Sequence, residues 1–232
     1  MQLVKTLTFS ALFLAISTAS QAEPGGGVTG RVLDMSSNQG TAVEPLYRTY
    51  DDGNEMGVRI SHRYNQKLMM YGDFVQTDND DLGDGDGFGA GVFYFLPETL
   101  DGFDVAARAS YHSGSASRSG LEIRFDDGVL PNVSTNMDLT TLSAELLLSP
   151  VNPIQDNGLS WYAGIGVAKV DADFGVKSGT TTVNIAGVTG KNSETEITGS
   201  VGLVLPTNFG SVFAAVEYVD GSAYSLGARY SF

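Results

Sequence analysis

The last nine residues, Tyr224 to Phe232, constrain this chain more than any other stretch. Successive side chains of an extended strand point to opposite faces. Tyr224, Leu226, Ala228, Tyr230 and Phe232 therefore share one face, and Ser225, Gly227, Arg229 and Ser231 share the other. A strand that is apolar outside, polar inside and ends on an aromatic residue fits a barrel surrounded by lipid. In a water-soluble barrel the apolar face would turn inward. Backbone groups in lipid must find their partners within the sheet, so spanning strands come in closed sets. One such strand predicts a whole barrel.

The N-terminus agrees. Lys5 precedes an apolar run from Leu7 to Ile16, and Ser20-Gln21-Ala22 offers small residues where a signal peptidase reads. The run falls short of the ~20 residues a spanning helix needs. The expectation is an export leader over residues 1–22, cleaved near Ala22, and one barrel domain over 23–232. Cysteine is absent, which excludes disulfides, thiolate chemistry and cysteine metal sites. Of the 13 basic and 27 acidic side chains only Lys5 lies in the leader. The acidic remainder argues against nucleic acid, whose phosphates want clustered Lys and Arg.

Counting back from the C-terminus gives strands of roughly ten residues, the length of a tilted outer-membrane strand. They run from Ser222 to Phe232, Phe209 to Val219, Glu194 to Leu205, Leu159 to Val170, Leu139 to Leu148, Phe103 to His112, Gly87 to Leu96, Leu68 to Thr77 and Met56 to Tyr64. An even number is required if both ends face the periplasm. The first strand is placed at Leu46 to Tyr50, in preference to Val28 to Met35, with Pro45 marking its start because proline has no N–H for a closed ladder. The fold class is all-β: a transmembrane antiparallel up-and-down β-barrel of ten strands, with eight as the alternative. The long connections are Asp78 to Asp86, Gly114 to Asn136 and Ala172 to Ser193. Leu121 to Phe125 and Thr181 to Ile185 still read as strand, which would carry the barrel beyond the membrane.

Alternation places Val58, Ile60, Val92, Leu142, Leu146, Ile165, Val201 and Val216 toward lipid. Aromatic side chains gather at the strand ends as girdles: Tyr64, Phe103, Trp161 and Phe232 at one rim, Phe74, Phe88, Tyr111, Tyr218 and Tyr224 at the other. Charges take the opposite face. Arg59, Arg63, Asp73, Asp104, Arg108, Glu145, Glu194, Glu196, Glu217 and Arg229 all point inward on this reading. Opposite charges in a narrow lumen pair and plug it, and an ion path is the competing reading.

These features resemble the small bacterial outer-membrane β-barrels, the OmpA/OmpX-like group and its ten-stranded relatives, over the whole mature chain. The resemblance implies a Gram-negative outer membrane, contact with its lipid and lipopolysaccharide, and insertion by the barrel-assembly machinery. That machinery reads a terminal strand such as Tyr224, Leu226, Tyr230 and Phe232. The resemblance implies no single activity, and a ligand for the loops is not identified.

Chemistry has few places to reside. Asp78 to Asp86 is dense in carboxylates and glycine, yet Leu82 stands where the fifth position of an EF-hand needs an oxygen ligand, and Gly89 where the twelfth needs Glu. It reads as a solvated loop, so no metal site is assigned. Tyr111-His112-Ser113 is similar in residue type to the His and Ser of outer-membrane lipid A deacylases, but neighbours in a strand point to opposite faces. The paired acids and His-Asp arrangement of omptin proteases are not visible. The expectation is a protein without catalytic residues, cofactor or metal: a porin-like envelope barrel with a structural or surface-interaction role. The alternatives are a narrow passive pore for ions or small solutes and, below it, a lipid-modifying enzyme.

One register follows from a turn. If Asn65-Gln66-Lys67 is a three-residue turn, Tyr64 lies opposite Leu68, and His62, Ile60 and Val58 face Met70, Gly72 and Phe74. On the lumen side Arg59 then faces Asp73, and Arg108 and Glu145 lie at similar depth.

Overall fold

The period-2 pattern resolves into ten strands, each bonded antiparallel to its neighbours in chain order: β1 (Thr41–Tyr50), β2 (Gly53–Arg63), β3 (Leu68–Asn79), β4 (Gly83–Phe95), β5 (Phe103–Phe125), β6 (Gly128–Pro150), β7 (Ser160–Ser178), β8 (Gly190–Thr207), β9 (Gly210–Val219) and β10 (Ser222–Ser231). The computed structural model describes residues 6–7 and 40–232, apart from 52, 81–82, 97–99, 101, 126–127, 184–188 and 220. β10 pairs with β1, closing the sheet on itself. The leader, its cleavage point and the alternative strand at Val28 to Met35 lie outside the described residues, save Thr6–Leu7, which pairs in parallel with Glu122 and Ile123.

The first strand is longer than its sequence suggests. It begins at Thr41 and runs through Pro45. Pairing with β10 holds at Leu46 and Gly227 and again at Val43 and Tyr230, and lapses between them. Proline removes one donor, and the ladder absorbs that loss at the seam instead of ending there. Glu44 thereby becomes an inward position of the same strand as Arg48.

At one end of the barrel the connections range from two residues between Thr207 and Gly210 to nine between Pro150 and Ser160. Asn65 Oδ1 accepts from the backbone N–H groups of Lys67 and Leu68 at 2.8 and 3.0 Å, an Asx turn that fixes the β2–β3 hairpin. Tyr64 N–H donates to Leu68 O at 3.0 Å. The register follows: Val58 faces Phe74, Ile60 faces Gly72, His62 faces Met70 and Arg59 faces Asp73.

The other end is uneven. β5 and β6 each run for 23 residues, and β7 and β8 for 19 and 18. The remaining strands have 10 to 13. Much of what reads as long loop is therefore strand. Gly114 to Asn136 is mostly a continuation of the β5–β6 hairpin, and Asp78 to Asp86 lies largely within β3 and β4. Four strands stand above the rim as a wall, with an irregularity in β5 between Arg118 and Leu121, where Gly120 takes a positive φ of 74°.

Along β6 and β7 the sense of the alternation inverts partway up. In the lower part Leu142, Leu146, Ile165 and Val167 are exposed on the outer face while Ser143, Glu145 and Tyr162 are buried inside. Higher up, Asn136, Asp138 and Lys169 face out, and Val133, Met137, Leu139, Val170, Phe174 and Val176 form a buried inner cluster with Leu121 of β5. Lipid favours apolar groups outside, and water favours them inside. The inversion marks where one solvent gives way to the other.

Candidate functional site

The lumen is filled, and the filling has two layers. The layer toward the short turns is apolar and aromatic: Met69, Tyr71, Phe93, Phe95, Ala106, Leu147, Tyr162, Val204, Phe213 and Ala215 pack together. Room for the rings comes from glycines directly opposite them in register. Gly91 faces Tyr71, Gly202 faces Tyr162, Gly227 faces Phe213 and Gly89 faces His112. A methyl group at any of these glycines would overlap the ring beside it.

Above this plug lies a charged belt. Arg59 donates to Asp73 Oδ2 through Nε at 3.0 Å and Nη2 at 2.6 Å. Arg108 Nη2 lies 2.5 Å from Glu145 Oε2, and Thr198 donates to the other carboxylate oxygen at 3.0 Å. Arg229 donates to Glu44 at 2.9 Å. Arg48 bridges two strands, with Glu217 at 3.1 Å and Glu55 at 3.6 Å. Ser225 donates to Glu217 at 3.2 Å and Thr77 to Glu55 at 3.3 Å. None of these charged side chains is more than 7 % exposed. Arg63 sits nearer the turns, donating to the carbonyls of Asn65 and Gln66, with its guanidinium over the Phe95 ring at 4.7 Å. Arg59 lies over Tyr71 at 4.1 Å, so the belt rests on the aromatic layer through cation–π contact.

Among the described residues the buried charges are five arginines and five carboxylates. Burying an ion costs several kcal/mol unless a partner and hydrogen bonds compensate it. Four of the arginines pair with the five carboxylates and Arg63 is held by backbone carbonyls, so the set is balanced and leaves little field across the lumen to draw an ion through.

The structure places Arg59, Asp73, Arg63, Arg108, Glu145, Glu217 and Arg229 inside the barrel. Two inward assignments need correction. Glu194 and Glu196 have inward parity but stand on the wall above the closed lumen, the first exposed and the second half-buried. Glu194 accepts from Asn192 at 2.9 Å and does not reach the belt. Asp104 is half-buried near the turns. Glu44, Arg48 and Glu55 join the belt without an inward expectation, and His112, expected only beside Tyr111 and Ser113, joins it too. Glu44 precedes Leu46, the expected start of the first strand, whereas Arg48 lies within the expected Leu46 to Tyr50 and shares its inward face. The position of Glu55 opposite Arg48 follows once β2 begins at Gly53 and not at Met56. His112 is fully buried with Nε2 at 3.4 Å from Asp73, while Tyr111 lies on the outer face, so the Tyr-His-Ser sequence does not converge on one point.

On the outside the aromatic residues occupy both rims. Phe103 meets Trp161 edge-on at 6.0 Å, and Tyr230 and Phe232 lie 6.0 Å apart near the short turns. Tyr64 is exposed at the same end, and Phe74 faces Phe88 toward the other, where Tyr111, Tyr218 and Tyr224 are also exposed. Between the rims the outer face is an apolar belt around an interior that holds the buried charges. The chain is a ten-stranded transmembrane barrel.

No family model matches it, and no curated protein does. Among solved structures it is similar to the outer-membrane protease OmpT of Escherichia coli, at 9 % identity and a TM-score of 0.49, over 84 % of this chain and 94 % of that one. It is also similar to Ail, the attachment invasion locus protein of Yersinia pestis, at 17 % identity and a TM-score of 0.37, over 84 % of this chain and all of that one. A KdgM porin solved with disordered oligogalacturonate matches at 11 % identity and a TM-score of 0.38, over 82 % of this chain and 99 % of the other. No residue role is carried across at these distances.

Proposed function

We propose that this protein is a non-enzymatic barrel of the bacterial outer membrane, with a structural or surface-interaction role exercised by its wall. Its export leader would be removed near Ala22, and the barrel-assembly machinery would insert it among outer-membrane lipid and lipopolysaccharide. The observation that carries the reading is the closed lumen: directly paired Arg and carboxylate groups stacked on an aromatic layer. What distinguishes the molecule to its surroundings is then its exterior, above all β5 to β8 where they rise beyond the rim.

Planar-bilayer recording of the purified, folded protein tests this. The expected record shows no steady conductance from the parent. A stable large conductance, unchanged when Arg59 and Arg108 are replaced by neutral residues, overturns it in favour of a passive pore. Altered lipid A mass in a deletion strain would argue instead for a lipid-modifying enzyme.

A further inference from the structure

The carboxylates of the belt are not held alike. Asp73, Glu145, Glu44 and Glu217 each have an arginine nitrogen within 3.1 Å. Glu55 does not. Its closest guanidinium is Arg48, with Nη1 3.6 Å from Oε2, and Arg48 leans toward Glu217 through Nη2. Thr77 donates to Glu55 Oε1 at 3.3 Å, and Oε2 accepts no hydrogen bond from the described residues. Yet the Glu55 side chain is wholly buried.

Its surroundings hold a second negative group. β1 presents Arg48 and the buried Tyr50, β3 presents Thr77, and β9 presents Glu217, itself bonded to Ser225 of β10. On β2 the next inward charge is Arg59, two inward positions below, and it is engaged with Asp73. Glu55 and Glu217 thus face one guanidinium together. Burial raises the Glu55 carboxyl above its ordinary value; Arg48 and Thr77 oppose that shift, and Glu217 adds to it. Two carboxylates in one dry site do not both ionise readily, and one of them keeps its proton. The outer face at this height is already polar, with Gln76 and Asp86 in the row just below Glu55 and Asp78 and Asp84 in the row just above. Glu55 therefore sits at the mouth of the lumen, above the lipid belt.

We propose that the mouth of the lumen is a proton-controlled latch: Glu55 carries a proton that lets it share Arg48 with Glu217, joining β1, β2 and β9, and loss of that proton unfastens the mouth. Protonated, the carboxyl changes from an acceptor alone to a donor as well, and one negative charge faces one guanidinium. Ionised, Glu55 is a buried charge without a full partner, a state that costs several kcal/mol. The aromatic layer toward the short turns is untouched by either state, so the latch governs the mouth and not the passage. It rests on the pairing inside the lumen and not on any role of the wall.

Infrared spectroscopy of the folded full-length barrel in deuterated buffer tests this, since a protonated carboxyl absorbs apart from carboxylates. At about pH 7, well above the ~4.3 of an ordinary glutamate, the parent is expected to show a protonated-carboxyl band of one group per chain. Glu55→Gln should remove it. Glu217→Gln should remove it too, because Arg48 then serves Glu55 alone. Raising the pH should extinguish the parent's band and lower its denaturant midpoint in step, since the folded barrel holds a proton that the unfolded chain releases. The Glu55→Gln midpoint should fall less. Glutamine copies the shape of the protonated side chain, so Glu55→Gln should fold, as heat-modified gel mobility would show; if it does not, Glu217→Gln and the parent's own titration decide. No band in the parent, or a band that persists in the variants, overturns the latch. A barrel that proves non-conducting and yet shows no such band keeps its closed lumen and loses the latch.

Discussion

Phe232 and Thr41 exchange both backbone hydrogen bonds, at 3.0 and 3.2 Å, so the last residue completes the ladder on the first strand. Its ring is 70 % exposed on the outer face, beside Tyr230. One residue thus closes the sheet and anchors it at the rim.

Deleting Phe232 removes both bonds and the terminal ring together. Outer-membrane levels of folded protein should fall sharply, read as loss of the fast-migrating band on gels run without heating. Phe232→Tyr keeps the backbone and an aromatic ring, and should retain most of the folded band. Unchanged levels after deletion would remove the terminal strand from its assembly role.

Arg59→Ala leaves Asp73 in a buried site with one hydrogen-bonding partner fewer. Breaking a buried pair costs about 3–5 kcal/mol, more than the pair contributes net, because the remaining charge is uncompensated. The unfolding midpoint should drop accordingly in denaturant titrations, and Arg59→Ala combined with Asp73→Ala should recover part of the loss. A double variant as unstable as the sum of the two singles would show that the groups do not act as a pair.

Gly89→Ala probes the space beside His112. The added methyl would overlap the imidazole and the Asp73 carboxylate, both of which are buried. Overpacking of this kind costs about 1–3 kcal/mol. His112→Ala in the same chain frees the space and should restore part of the stability, measured again by unfolding midpoints. Gly72→Ala, on the lipid face where a Cβ meets nothing closer than 3.6 Å, should be near neutral.

Asp78 and Asp84 face each other directly across β3 and β4. Like charges directly opposed are unfavourable, and salt screens them. Asp84→Asn should raise the melting temperature slightly at low ionic strength and leave it unchanged at about 1 M salt, where the Debye length is ~3 Å. Calcium should shift neither protein, since the carboxylates here read as solvated. A calcium-dependent rise in the parent alone would assign them a cation.

The parts of this architecture legible in the sequence are those governed by short-range rules. Strand parity needs only a dipeptide repeat, so the lipid-facing belt and the inward charges from Arg59 to Arg229 could be read directly. The β2–β3 register followed from one turn, Asn65-Gln66-Lys67. Proline misled: Pro45 argues for a strand boundary locally, yet closure with β10 carries the strand past it. The tall wall was obscured for a different reason. Above Leu142 and Val167 the alternation changes sense, so a reading tuned to lipid takes polar outward residues for loop. Glycines paired with rings, such as Gly202 with Tyr162, depend on registers across several hairpins and had no local signal.

That change of sense limits how the wall can vary in length. A single residue inserted above Leu142 would turn Leu139, Met137 and Val133 outward and Asp138 inward in one step. Two inserted residues preserve every facing, and the paired strand must lengthen to match. The wall is therefore free to grow or shrink in whole dipeptides shared between neighbouring strands, a coarse ruler whose divisions are set by the pleat of the sheet.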